Sequence, residues 1–221
     1  MKDKIVTFGE IMLRLSPENN ARFTQCNAFE AVYGGGEANT AVSLANFDVD
    51  ANYVTKLPKH IIGQAAINSL RQYGVGVDHI VRGGDQIGIY FLEKKTSQRP
   101  TNVIYNRAGS AFALATADDF NWDEIFDGAT WFHFSGITPA ISDEMTNICI
   151  TACQKAKEKG MTVSCDLNYR SKLWSSEKAC EAMSRICQYV DVCIANEDDA
   201  IGIFSICLLY TSPSPRDPKT S

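Results

Sequence analysis

With 221 residues, 45 % of them hydrophobic and 21 % charged, the chain has the make-up of a folded protein with one large domain, which excludes wholesale disorder. A formal net charge of -5 without a lysine or arginine cluster excludes nucleic acid or an anionic membrane as the main partner. The opening Met1-Lys2-Asp3-Lys4 leads into a run broken by Thr7 and Gly9, neither an apolar leader nor a membrane span, so a soluble cytoplasmic protein is expected.

Lys4 to Glu10 reads as a buried strand, and Met12 to Leu15 continues extended. Polar residues from Ser16 to Asn27 form a loop. Phe29 to Tyr33 then runs into Gly34-Gly35-Gly36-Glu37-Ala38-Asn39, where three glycines open into a helix with a carboxylate and an amide near its start. Ala38, Ala41, Val42 and Ala45 keep the spacing of one helical face. Backbone without Cβ atoms beside free helix N–H groups suits a small polar ligand, although glycine-rich stretches also serve as plain loops. Tyr53 to Leu57 reads as a short strand and Ile62 to Tyr73 as a helix closed by Gly74 and Gly76.

Ile87 to Glu93 and Asn102 to Arg107 read as two antiparallel strands around a polar loop with Ser97 and Pro100. Pattern alone leaves open whether Tyr90, Tyr105 and Arg107 face a ligand or a solvated sheet. Trp131 to Ser135 is the next strand. Ser142 suits an N-cap, with Asp143 and Glu144 behind it and a helix carrying Met145, Ile148, Cys149, Ala152, Cys153 and Ala156 on one face. Lys155, Lys157 and Lys159 fill its last turn, and Gly160 stops it. Met161 to Leu167, Ser176 to Tyr189 and Asp191 to Ala195 repeat strand, helix, strand, which predicts right-handed crossovers and a parallel sheet. The eight cysteines lie in apolar runs with no C-x-x-C pair, and Cys149 and Cys153 read as core residues. Three histidines, His60, His79 and His133, show no zinc-ligand spacing.

In open parallel sheets the ligand crevice lies beyond the carboxyl ends of the strands. The residues expected there are Gly9-Glu10, Ser135-Gly136, Asp166 with Asn168 and Arg170, and Asn196 with Asp199, a far more polar set than the strands themselves. Such groups hold hydroxyls, phosphates or a hydrated magnesium ion, and they also serve as caps and turn residues.

Ordered along the chain, YGGGEANTAVSLANF (Tyr33 to Phe47), TKLPKHIIGQAAINSLRQYGV (Thr55 to Val75), GIYF (Gly88 to Phe91), VIYNRAGSA (Val103 to Ala111), FHFSGITPA (Phe132 to Ala140), DLNYRSKLW (Asp166 to Trp174) and IANEDDA (Ile194 to Ala200) resemble the PfkB, or ribokinase-like, family of carbohydrate kinases. Within it they look closest to the 2-keto-3-deoxygluconate kinases. The resemblance implies a ribokinase-like three-layer α/β/α fold with a mostly parallel sheet and a small β-lid, incomplete at the C-terminus. It also implies ATP and magnesium as cofactors, phosphorylation of a sugar or sugar acid, and a homodimer formed through the lid. Residue by residue, Gly35 with Gly34 and Gly36 would meet the sugar acid through backbone, with Asn39 below. Tyr90, Tyr105 and Arg107 would close over it from the lid, Ile137 would line the pocket, and Arg170 would approach the carboxylate or the transferring phosphate. Asn168 and Asn196 would face the nucleotide phosphates, with Asp199 reaching the metal through water. Asp48 departs from the small residue usual at its point.

The family's Gly-Ala-Gly-Asp helix start, which supplies phosphate-binding N–H groups and the catalytic base, does not occur. The expected division is therefore residues 1–206 as the N-terminal part of the kinase domain, with lid strands at about 12–33 and 87–107, and 207–221 as a Ser/Pro-rich non-family tail resembling translated adapter sequence. A natural flexible tail is the alternative. On this reading the chain is inactive and poorly soluble, with an exposed edge at 191–195. Rival readings are a non-catalytic sugar-binding fragment and a kinase for fructose or ribose. A dinucleotide-binding dehydrogenase is disfavoured, because Asn39 stands where the third glycine of G-x-G-x-x-G belongs.

Overall fold

In the computed structural model, which describes residues 3–206, strand β1 (Lys4–Phe8) is the first element. The chain then forms β2 (Met12–Pro17), β3 (Phe29–Gly34), helix α1 (Gly36–Asn46), β4 (Asp50–Val54), β5 (Lys56–Leu57), α2 (Ile61–Arg71) and β6 (Val81–Arg82). After β7 (Ile89–Glu93) and β8 (Asn102–Asn106) come α3 (Trp122–Ile125), β9 (Trp131–Ser135), α4 (Ile137–Ala140), α5 (Asp143–Glu158), β10 (Thr162–Asp166), α6 (Ser176–Ile186), β11 (Val192–Ile194) and α7 (Glu197–Phe204).

Five strands form an all-parallel sheet in the order β11-β10-β9-β1-β4, as the strand–helix alternation predicts. Alternation along each strand sends side chains to two separate cores. On one face Val6, Phe8, Phe132 and Phe134 pack with α5 and α6 through Ile148, Cys149, Cys153 and Met183. On the other, Ala51 and Tyr53 pack with α1 and α2 through Ala38, Ala41, Ala66 and Leu70. The result is a three-layer α/β/α body.

The long helix α5 begins and ends where its sequence says it should. Ser142 Oγ accepts from Met145 N at 3.1 Å, and Gly160 takes the left-handed φ of 71° that follows the last turn. Helix α6 stops at Ile186 and tightens into a 3-10 turn at Cys187–Tyr189, short of the helix end expected at Tyr189. The region expected as one strand at Tyr53 to Leu57 divides into β4 in the main sheet and β5, which pairs only with β6. The stretch between β8 and β9 carries no readable period, yet it supplies Phe112, Phe120, Trp122 and Phe126, which pack around Phe8 and Phe132.

The lid is a second, mixed sheet ordered β3-β2-β7-β8. The expected antiparallel β7/β8 pair is present, with Tyr90 opposite Tyr105, and β2 joins it in parallel to β7. At the other end of the body β11 is the edge strand among the described residues, leaving Val192 40 % and Ile194 51 % exposed. The tail expected at 207–221 lies outside the described residues.

Candidate active site

The carboxyl ends of β1, β9 and β10 converge beneath the lid. The turn after β1 is held by Tyr53, whose buried hydroxyl donates to Gly9 O at 2.8 Å. Gly35, extended between β3 and α1, presses against this turn so closely that a Cβ there would run into the Glu10 carbonyl. A Cβ on Gly36 would meet nothing, because that position faces open space at the mouth of the cleft.

Glu37, in the first turn of α1, lines the cleft, but its carboxylate is already taken by the body. Its carboxylate points inward and accepts from Ser135 N at 3.0 Å, Ser135 Oγ at 2.5 Å and Thr138 Oγ1 at 3.2 Å. It pins α1 to the end of β9 as a polar clamp.

Gly35, Gly36, Tyr105, Arg107, Ile137 and Arg170 come together around one cavity of about 650 Å³, with Glu10, Met12, Glu37, Val103 and the run Tyr169 to Leu173 completing its walls. Gly34, Asn39 and Tyr90 line an adjoining recess of about 300 Å³, which shares Met12, Gly35, Gly36 and Tyr105 with the first. The Tyr90 and Tyr105 rings stack with centroids 5.8 Å apart. Lys172 and Met12 line the cleft although no local pattern singles them out; for Lys172 the only signal is its place in the motif around Arg170.

Arg107 arrives already paired. Its guanidinium contacts the Glu10 carboxylate, and both are nearly buried, with 11 % and 3 % of their side chains exposed. Ser110 Oγ donates to Glu10 Oε1 at 2.6 Å and accepts from Ala113 N at 3.1 Å. Burial pushes the Glu10 carboxyl above its usual range, while Arg107 and then Ser110 hold it down. Glu10 thus belongs to a link between body and lid and is not an open ligand for phosphate or magnesium. Neither member marks the other in the sequence.

Asn168, Asn196 and Asp199, the residues expected on the nucleotide side, line neither the cavity nor its recess. Asn168 takes a left-handed φ of 38° in the turn after β10, a conformation asparagine tolerates. Asn196 caps α7 by accepting from Asp199 N at 2.8 Å, and the buried Asp199 carboxylate accepts from Tyr169 N at 2.9 Å. Asp166 is pushed up by burial and by the charge of Asp199, with the Asn168 backbone and Arg170 opposing. Asp199 is already bonded to Tyr169 N, so Asp166 is the less committed of the two carboxylates, and a hydrated divalent ion needs only one or two. Among the described residues no cluster of three or more acidic, histidine or cysteine ligands forms.

Comparison with known proteins gives this geometry a family. Residues 2–215 match the pfkB family carbohydrate kinase model, a span that passes the boundary drawn at 206. The 2-dehydro-3-deoxygalactonokinase of Haloferax volcanii is 38 % identical over 208 residues, 93 % of this chain and 64 % of its own length. The 2-dehydro-3-deoxygluconokinase of Bacillus subtilis is 28 % identical over 80 % of the chain and 55 % of its own length. The crystal structure of the Thermotoga maritima 2-dehydro-3-deoxygluconokinase superposes with a TM-score of 0.90 at 53 % identity, covering 92 % of this chain and 63 % of that one. The chain thus spans less than two thirds of the length of each of these relatives. With a parallel sheet, a mixed lid and a cleft between them, and with the family model matching nearly its whole length, the chain belongs to the pfkB family of carbohydrate kinases.

Proposed function

We propose that this chain forms the sugar-binding part of an ATP-dependent kinase that phosphorylates 2-keto-3-deoxygluconate, or its close epimer, on the terminal hydroxyl. The observation that carries the reading is the cleft itself: backbone glycines on one wall, stacked tyrosines on the lid and arginines from both lid and body around a space sized for one sugar acid. The names of the three 2-keto-3-deoxy sugar-acid kinases described above support the substrate class.

In this scheme Gly34 to Gly36 and Asn39 hold the sugar against backbone, Tyr90, Tyr105 and Ile137 shield it from water, and Arg170 faces the transferring phosphate with a planar guanidinium. Asn168 and Asn196 meet the nucleotide phosphates. Asp199, with Asp166, would hold the hydrated magnesium ion that neutralises phosphate charge during in-line transfer.

The two carboxylates in the cleft are both committed, Glu10 to Arg107 and Ser110, Glu37 to Ser135 and Thr138. Neither is free to take the hydroxyl proton, a role typically worth ~10²–10⁴-fold, and on this reading the base belongs to the part of its relatives' length that the chain does not span. Residues 1–206 are on this reading the N-terminal part of the kinase domain, and by themselves bind without turning over. A cytoplasmic enzyme dimerised through the lid completes the proposal, supported by the exposed lid residues Phe29 and Ile104, 40 % and 51 % accessible. Among the described residues no helix is long and apolar enough to cross a membrane.

The test is phosphoryl transfer from ATP to 2-keto-3-deoxygluconate, fructose and ribose, using the 221-residue chain and a version continued to the length of its relatives. The longer protein is expected to turn over the keto sugar acid and the shorter one to stay at background. Preference for fructose or ribose overturns the substrate assignment, and turnover by the shorter chain overturns the missing base.

A further inference from the structure

Arg14 lies in the middle of strand β2, directly beside Val32 on β3 and Tyr90 on β7, and Tyr90 in turn lies opposite Tyr105 on β8. Residues in register across neighbouring strands share a face of the sheet, so Val32, Arg14, Tyr90 and Tyr105 form one transverse row across the lid. That row faces the recess of about 300 Å³ whose floor is Gly34 to Gly36 and Asn39.

Three arginines reach the cleft and its recess, and they differ in what already occupies them. Arg107 is neutralised by the buried Glu10. Arg170 is exposed at the body end and donates to Tyr169 O at 3.3 Å. Arg14 is half-buried and, among the described residues, forms no ion pair or hydrogen bond; its Nε is buried without a partner, as Arg107 Nε also is, so what separates the two is that only Arg107 has a carboxylate beside it. The carboxylate on which its charge acts, Glu30, bonds instead to Lys94 at 2.9 Å. An unpartnered donor out of water is costly, and a weakly hydrated guanidinium fork meets a carboxylate with two parallel bonds.

We propose that Arg14 receives the carboxylate of the sugar acid at the lid end of the cleft and is the residue that selects acidic over neutral sugars, while Arg107 ties the lid to the body. This assignment rests on the sugar-kinase reading of the cleft and transfers to Arg14 the anion recognition that the sequence motif places on Arg107.

The experiment is calorimetric titration of the 221-residue chain with 2-keto-3-deoxygluconate and, separately, with fructose. Wild type is expected to prefer the acid. Arg14→Gln should lose roughly 10- to 100-fold in affinity for the acid, the size of a charge-assisted contact, with fructose binding unchanged. Arg14→Lys, which keeps the charge and loses the fork, should fall between and decides the matter if the glutamine variant does not fold. Full preference for the acid in both variants overturns the role of Arg14 and leaves the kinase reading standing. A wild type that binds neither sugar, or prefers fructose, overturns both.

Discussion

The body and the lid are both β-sheets of similar size, yet they are built for different ends. Phe8, Phe132 and Phe134 of the parallel sheet are 0 % exposed, whereas Ile104 and Tyr105 of the lid are 51 % and 50 % exposed. Helices cover both faces of the body, as parallel sheets require, while an antiparallel or mixed sheet leaves one face for water or a ligand. Body side chains are therefore chosen by packing and lid side chains by what they meet across the cleft. Substitutions in the body should register in stability, and substitutions in the lid should register in binding.

The largest effect should come from the body. Trp122 meets Phe8, Phe120, Phe126 and Phe132 at ring-centroid distances of 5.1 to 5.8 Å, and Trp122→Ala should cost about 3–5 kcal/mol in urea denaturation. A loss below about 1 kcal/mol would mean that the aromatic cluster is not part of the cooperative core.

Next comes the link between the two sheets. Arg107→Ala leaves Glu10 buried without its opposing charge and should destabilise by about 3 kcal/mol at neutral pH. The sign with pH follows from Glu10, whose folded pKa already lies above its usual value. A raised carboxyl pKa means that the folded state holds its proton more tightly than the unfolded one, so its contribution to stability is present at low pH and lost as pH rises. Removing Arg107 raises that pKa further. The gap between variant and wild type should therefore narrow from about pH 8 to about pH 5 in parallel denaturation curves. A gap of constant width would show that Glu10 does not titrate with the loss of Arg107.

The smallest stability effect belongs to the lid face. Tyr105→Ala removes a half-exposed ring stacked on Tyr90 and should cost no more than about 1 kcal/mol in urea denaturation. Its affinity for a sugar acid, measured by titration, should fall instead. A large stability loss with unchanged binding would break the division between body and lid.

Much of this arrangement is legible in the order of the residues. Helix α5 announces itself through Ser142, an apolar stripe and Gly160, and the strand–helix alternation after Trp131 names a parallel sheet with its polar residues at the carboxyl ends. The segment from Phe112 to Phe126 was not legible, since its turns are too short to show a period and its order comes from contacts with Phe8 and Phe132. Nothing beside the three glycines shows that Glu37 is a clamp, because its partners Ser135 and Thr138 lie about a hundred residues away.

Residue order alone thus determined the longer elements, the class of fold and the family, because periodicity, caps and ordered motifs are local or sequential properties. Which polar groups are free and which are spent was decided only in three dimensions. Glu10 with Arg107, Glu37 with Ser135, and Arg14 without a partner are outcomes of distant segments meeting, and burial then makes each pairing, or its absence, matter far more than it would in water.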